Sequence, residues 1–224
     1  MANLCIWNSG LTALKRIKLE LAETIKGGKV LDLGSGENPF GFSFAYAAKV
    51  DELNFSDKND NVIAVLQNKI SYLDPDDLNE TDSEFLEYLG LNSMETIAHI
   101  IEKTNEILNY DFSQKPLERT FDVITAFECI ASVNSFDIFQ KSFHNCAQML
   151  KQNGRLLGVS TRYETQNDRT LELIKSGNEG TLNPDLDAYK KAFKDAGLEI
   201  NLLEKRQLEH ITNYNEVIIF DVRK

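Results

Sequence analysis

Proline and glycine are scarce, at 4 and 12 residues in a chain of 224, which excludes fibrous and low-complexity organisation. Cysteine is scarcer still. Cys5, Cys129 and Cys146 form an odd, widely spaced set without a CxxC pair, so neither a disulfide framework nor a structural zinc site is expected. Three reduced thiols suit a cytoplasmic protein. No apolar run approaches the roughly 18 residues of a membrane span. The opening MANLCIWNSG has neither the basic start nor the apolar stretch of a secretory signal. Basic excess is missing too: 35 acids stand against 24 bases, for a net charge of −11. Nine of those acids, and no Lys or Arg, fall within residues 70–102; the rest of the chain is near neutral. Without a basic surface, nucleic acid is a poor partner. The acidic block reads as a solvated insertion rather than a cation-binding site, and it is where a protein partner would dock were the chain a scaffold.

What is present is an alternation of helical and strand patterns. Apolar residues Leu11, Leu14, Ile17, Leu21 and Ile25 recur at helical spacing, and Gly27-Gly28 ends that helix. Lys29–Leu33 reads as a buried strand, and Glu52 to Ser56, ending at Asp57, as a second. Residues 71–108 interrupt the rhythm with a helical turn at 85–89. A longer helix follows, capped by Ser93 and carrying Ile97, Ile100, Ile101, Thr104 and Leu108. Strands at 121–126 and 155–160, helices at 136–150 and 186–196, and two closing strands complete the pattern. Alternating βα units predict an α/β fold with a doubly wound, mostly parallel seven-stranded sheet. The last two strands, with no helix between them, predict an antiparallel edge. The organisation is one domain over 1–224, with an N-terminal lid helix in 1–27 and an acidic helical insertion in 71–108.

The most informative stretch is Val30-Leu31-Asp32-Leu33-Gly34-Ser35-Gly36-Glu37-Asn38. In open α/β sheets a ligand lies beyond the carboxyl ends of the strands, against the first βα turn. Gly34 and Gly36 remove side chains there, and Asp32 can orient the turn or accept from a ligand ammonium. A GxG after a strand is a common structural turn, and Pro39 replaces the third glycine of the dinucleotide fingerprint. Asp57, at the end of the second strand, can bind both hydroxyls of a ribose. Asp111, within Asn109-Tyr110-Asp111-Phe112-Ser113, can accept from an adenine amine while Phe112 packs on the ring. The turn has no GKS/T and no basic residue, so it is no phosphate cradle. Ribose, adenine and an ammonium-bearing tail together point to S-adenosylmethionine.

With these motifs the chain resembles the class I S-adenosylmethionine-dependent methyltransferases, and more narrowly the nicotinamide, phenylethanolamine and thioether (indolethylamine-type) family. The narrower likeness rests on VDELNFSDKNDNVIAVLQNKI, the insertion before NYDFSQKPL, FDVITAFECI, NGRLLGVSTRYE, KDAGLEI and NEVIIFDVRK, over roughly residues 28–224. The resemblance implies a Rossmann-like methyltransferase fold in which Gly34, Ser35, Gly36 and Asn38 contact the methionine portion. It likewise implies that Asp57 holds the ribose, Asp111 and Phe112 frame the adenine, and Phe127 lies near the sulfonium. The chain departs from the family in two places. Residues 1–27 carry no tyrosine, leaving Trp7 as the sizeable aromatic of a lid. Ser160-Thr161 stands where amine methyltransferases place an acid.

Methyl transfer needs alignment and dryness more than acid–base help, and a neutral amine needs least. His99, His144 and His210 fall away from the expected strand ends, and no His/Asp cluster has metal-ligand spacing. The expected catalytic residues are Glu128, which can attract a cationic amine, and Tyr163, with Trp7 and Thr181 also on the acceptor wall. Glu128 reads equally as a dipole-favoured acid at a helix N-terminus. The leading expectation is a small-molecule N-methyltransferase. The alternatives are an O-, S-, C- or protein methyltransferase, or a non-catalytic scaffold with the same fold.

Overall fold

The computed structural model describes residues 13–36, 40–72, 78–163, 182–208 and 214–224. Helix α1 (Ala13–Glu23) leads into β1 (Lys29–Leu33), which is buried on both faces by Val30, Leu31 and Leu33. A short helix, α2 (Phe40–Ser43), and a single 3-10 turn at Ala47–Lys49 follow the glycine turn. Then come β2 (Glu52–Asp57), α3 (Asp60–Ser71), α4 (Glu80–Leu89), α5 (Ser93–Lys103) and β3 (Thr104–Asn109). The chain continues through β4 (Phe121–Phe127), α6 (Phe136–Met149), β5 (Leu150–Tyr163), α7 (Leu186–Asp195), β6 (Glu199–Gln207) and β7 (Tyr214–Arg223).

The sheet order is β3-β2-β1-β4-β5-β7-β6. The first five strands are parallel, and β7 runs antiparallel between β5 and β6. The expected doubly wound, mostly parallel sheet is therefore present, with its antiparallel pair at one edge. The outermost strand, β6, carries Glu204, Lys205 and Arg206, charges that discourage edge-to-edge pairing with another chain. Among the described residues no helix is long and apolar enough to cross a membrane.

Two cores flank the sheet. On one face α1, α3, α4 and α5 bury Leu19, Ala22, Leu66, Phe85 and Ile100 against Val30, Phe55, Leu157 and Val159. On the other, α6 and α7 close over Leu31, Ile124, Leu156 and Phe220. The second core is aromatic. Phe143 meets Phe139, Phe193 and Phe220 at centroid distances of 5.0, 4.9 and 5.7 Å, all edge-to-face. Each such pair contributes about 0.5–1.5 kcal/mol beyond its buried area.

The insertion differs from expectation in three respects. The turn at 85–89 is a full helix, α4, capped by Asn79 and closed by Gly90 in the left-handed conformation. Asn92 rather than Ser93 caps α5, its side chain accepting from the Glu95 N–H. The helix also stops at Lys103: Thr104 turns its hydroxyl back to the Ile100 carbonyl at 2.7 Å and opens β3, so residues 104–108 belong to the sheet. An apolar recurrence through Leu108 fits helix and strand alike, and pairing with β2 decides it.

Gly158 in β5 lets the fully buried Phe220 ring cross the strand, since a Cβ there would lie 2.1 Å from the ring. Gly158→Ala should cost about 1–3 kcal/mol in urea unfolding through overpacking. Combining it with Phe220→Leu should recover part of that loss, and strictly additive costs would refute the contact as the cause.

Candidate functional site

The site grows from the parallel pairing of β1 with β2, in which Leu33 lies opposite Ser56. This register places the turn after β1 beside the end of β2, and hydrogen bonds lock it there. Ser35 donates its N–H to the Ser56 carbonyl at 2.9 Å, and the Ser56 N–H donates to the Ser35 hydroxyl at 3.2 Å. Both hydroxyls donate to the Asp32 carbonyl, at 3.1 and 3.0 Å. The Gly36 N–H then donates to Asp57 Oδ2 at 3.3 Å, and the Asn59 N–H to Oδ1 at 3.0 Å. Gly34 and Gly36 have φ of +63° and +67°, a region side chains avoid. At Gly34 a Cβ would also come within 2.6 Å of the Cys129 Cβ.

Two hollows meet at this turn and share Gly34. The larger, about 370 Å³, is lined by Asp57, Asp111, Phe112, Glu128 and Cys129 among others. The smaller, about 70 Å³, is lined by Asp32, Ser35, Phe42, Ser43 and Phe127. Of the expected site residues, Gly34, Asp57, Asp111, Phe112 and Glu128 thus face one hollow, and Asp32, Gly34, Ser35 and Phe127 the other. Gly36 lines neither but anchors Asp57. Asn38, Trp7 and Thr181 lie outside the described residues. Tyr163 ends β5, and its side chain also lies outside them.

The carboxylates differ in their electrostatics. Burial pushes the Asp32 carboxyl up to about 6, against a hydrogen bond from Thr125. The phenol of Tyr46 is buried beside it. For Asp111, desolvation pushes upward. The Ser113 hydroxyl and N–H and the Gln114 amide outweigh it and hold the carboxyl below its ordinary value. Each carboxylate oxygen accepts more than one bond, so Asp57 and Asp111 keep acceptor capacity for a ligand. The Phe112 carbonyl accepts from Asn145 at 2.8 Å, which ties the loop after β3 to α6. Cys129 is no nucleophile: desolvation, with Asp32 adding to it, raises its thiol well above the ordinary range.

Glu128 departs from expectation. It is no helix N-terminal acid; it sits in a left-handed conformation at φ +65°, and α6 begins only at Phe136. Its N–H donates to the Val159 carbonyl at 2.7 Å, and its own carbonyl accepts from the Ser132 hydroxyl at 2.7 Å. Its carboxylate forms an ion pair with Lys18 of α1. Lys18 was not among the expected site residues. It lies four residues after Leu14 and three before Leu21, and a lysine on an apolar helix face is a readable signal. Burial lowers its pKa to about 8, with Cys129 opposing and Lys15 assisting.

The arrangement fits an adenosyl group with an amino-acid tail. Backbone free of side chains at Gly34 faces both hollows, Asp57 and Asp111 line the larger one, and the turn has no cationic phosphate cradle. Comparison with known proteins gives the family. A family model described as a methyltransferase domain matches residues 8–203. It is the general domain, and it does not bring out the narrower amine-methyltransferase likeness. No curated protein matches the chain in sequence. Among solved structures, the N-methyltransferase NodS from Bradyrhizobium japonicum WM9 in complex with S-adenosyl-L-homocysteine is 14% identical, with a TM-score of 0.60 over 100% of this chain and 93% of that one. A SAM-dependent methyltransferase from Methanosarcina mazei is 15% identical, with a TM-score of 0.63 over 90% of this chain and 94% of that one. At such identities the likeness is one of fold. The sequence match over most of the chain carries the assignment, and this chain belongs to the methyltransferase domain family.

Proposed function

We propose that this methyltransferase takes its methyl group from S-adenosylmethionine and passes it to a nitrogen of a small molecule. The observation that carries the reading is the meeting of the two hollows at Gly34. Asp57, Asp111 and Phe112 stand in one for ribose and adenine, and Asp32 in the other for the methionine ammonium. Bound S-adenosylmethionine supplies a methyl carbon activated on sulfur, which an amine that has lost its ammonium proton to water captures with its lone pair as the C–S electron pair returns to sulfur. The protein's task is alignment, which is worth about 7–11 kcal/mol in well-oriented reactions. Phe127 and Phe42, in edge contact at 5.2 Å, wall the smaller hollow and keep water from the reacting end. Glu128, directly after Phe127, puts negative charge where a cationic amine would approach, which favours nitrogen over a phenol or thiol. That NodS is an N-methyltransferase supports the choice.

Calorimetry with S-adenosylhomocysteine tests the donor half of this reading, and absence of binding by the wild type would overturn it. Asp57→Ala should weaken that binding by about 1–3 kcal/mol, while Asp57→Asn, which keeps an acceptor for the Gly36 N–H, should cost less.

Asp32 gives a pH signature. With its carboxyl raised to about 6, the ionised form that attracts an ammonium fills as pH climbs through that value. Affinity for S-adenosylhomocysteine should therefore rise between about pH 5 and pH 7 and be flat across that range in Asp32→Asn. Stability runs the other way. The folded pKa lies above the ordinary 3.8, so the folded state binds the extra proton, and the stability this confers is lost as pH rises through about 6. Urea titrations of wild type and Asp32→Asn should diverge over that window.

Mass spectrometry of amines, phenols, thiols and peptides incubated with labelled donor tests the acceptor. Turnover of a phenol with no amine methylated would refute the nitrogen assignment.

A further inference from the structure

The ion pair between Lys18 and Glu128 runs from a wall of the larger hollow to the ring of Phe42. Glu128 lines the larger one, and Lys18 Nζ lies 5.2 Å from the ring centroid of Phe42, a wall of the smaller. The pair is unevenly covered: the Lys18 side chain is 7% exposed and that of Glu128 36%. Packing alone does not call for it. Lys18 shares its helix with the buried Leu19, Leu21 and Ala22, and a buried ion pair is often no more stabilising than an apolar residue of similar volume. The backbone at Glu128 is held in a strained left-handed conformation by bonds to Val159 and Ser132, which fixes where the carboxylate starts. Two opposite charges in fixed places beside the larger hollow are complementary to a ligand that carries both. Such a ligand replaces one internal pair with two, whereas a ligand with a single charge leaves one protein charge unmatched.

We propose that the acceptor is an amine that also bears a carboxylate, an amino acid or similar zwitterion, with its nitrogen beside Glu128 and its carboxylate on Lys18; this rests on the methyl-donor reading above. The polarity follows from placement. Glu128 directly succeeds Phe127, which walls the smaller hollow, so nitrogen at Glu128 lies on the reacting side. Lys18 enters from α1 as the more buried member of the pair and holds the carboxylate beside the Phe42 ring.

The test uses the full chain with glycine, β-alanine and γ-aminobutyrate, each against its methyl ester and against methylamine, ethylamine and propylamine. The amino acids should show kcat/KM at least about tenfold above their esters and the plain amines. They should also bind the S-adenosylhomocysteine complex in calorimetry where the esters do not. Lys18→Met should abolish the preference while leaving S-adenosylhomocysteine affinity within about twofold. The exchanged double variant Lys18→Glu, Glu128→Lys keeps a pair, so its melting temperature and its affinity for S-adenosylhomocysteine should hold while turnover is lost, because the nitrogen is then drawn to the wrong side. Equal turnover of amino acids, esters and plain amines would overturn the proposal. So would a Lys18→Met variant that binds S-adenosylhomocysteine about tenfold more weakly, which would assign the lysine to the donor's own carboxylate. An exchanged variant with wild-type turnover would reduce the pair to a structural clasp. If plain amines alone react, this inference falls and the nitrogen reading stands; if S-adenosylhomocysteine does not bind the wild type, the donor reading falls first.

Discussion

Parallel pairing of β1 and β2 does more than extend the sheet, because the hydrogen bonds continue past the strand ends. Ser35 and Ser56 exchange bonds across the gap, both hydroxyls close onto the Asp32 carbonyl, and Gly36 is held by Asp57. These contacts hold the turn open, with its bare backbone toward the ligand. They also make Asp57 the anchor of the turn while its carboxylate lines the larger hollow. Were the register shifted by one residue, Asp57 would point to the opposite side of the sheet and Gly36 would lose its partner. Gly34 is constrained from the other side as well, since the approach of Cys129, two residues past β4, leaves no room for a Cβ.

The parts of the site that lie along one strand and its turn were legible in the sequence, and so were the three strand-end acids, because chain order alone places them at one edge of a parallel sheet. What was not legible joins residues far apart. The Lys18–Glu128 pair spans 110 residues, and nothing near Glu128 announces a partner on the first helix. The left-handed turn at Glu128 carries no glycine or asparagine to mark it, so an acid after a strand read as a helix start. At residue 104 the obstacle was degeneracy. Isoleucines and leucines recur there at a spacing that suits either period, and only the neighbouring β2 selects the strand. Asn92 and Ser93 are both good caps side by side, and choosing between them takes backbone geometry.

Burial raises a cost at Asp32, in the smaller hollow, and at Lys18, beside Phe42, with opposite signs. Asp32 is held toward its neutral form and Lys18 likewise, each because water is excluded from its charge. The protein answers the two costs differently. Asp32 is supplied with the Thr125 hydroxyl, which supports a carboxylate without neutralising it and leaves its charge available to a ligand. Lys18 is supplied with a countercharge, which satisfies it in the free enzyme and must be shared or exchanged when a ligand arrives. One group is poised for a bond it has yet to make, the other for an exchange.

The acidic insertion takes part in this arrangement rather than simply standing in solvent. Its α4 buries Phe85 and Leu86 in the first core, and Phe85 lies 5.4 Å from Phe42, which in turn meets Phe127. A row of aromatic rings thus runs from the insertion through α2 to the end of β4. Above it, Lys15 and Lys18 sit three residues apart on α1, near enough that Lys15 helps to lower the Lys18 pKa. Lys15 reaches Thr81 at 3.2 Å and Glu84 at 4.0 Å, and its ammonium lies 5.7 Å from the Phe85 centroid. Each lysine therefore has a carboxylate partner on a different element, and α1 is clasped from both the insertion and the site. The helix is held first by Leu19, Leu21 and Ala22 in the core. Thr81 and Glu84 of α4 add a polar hold on α1 that ligand exchange at Glu128 leaves intact.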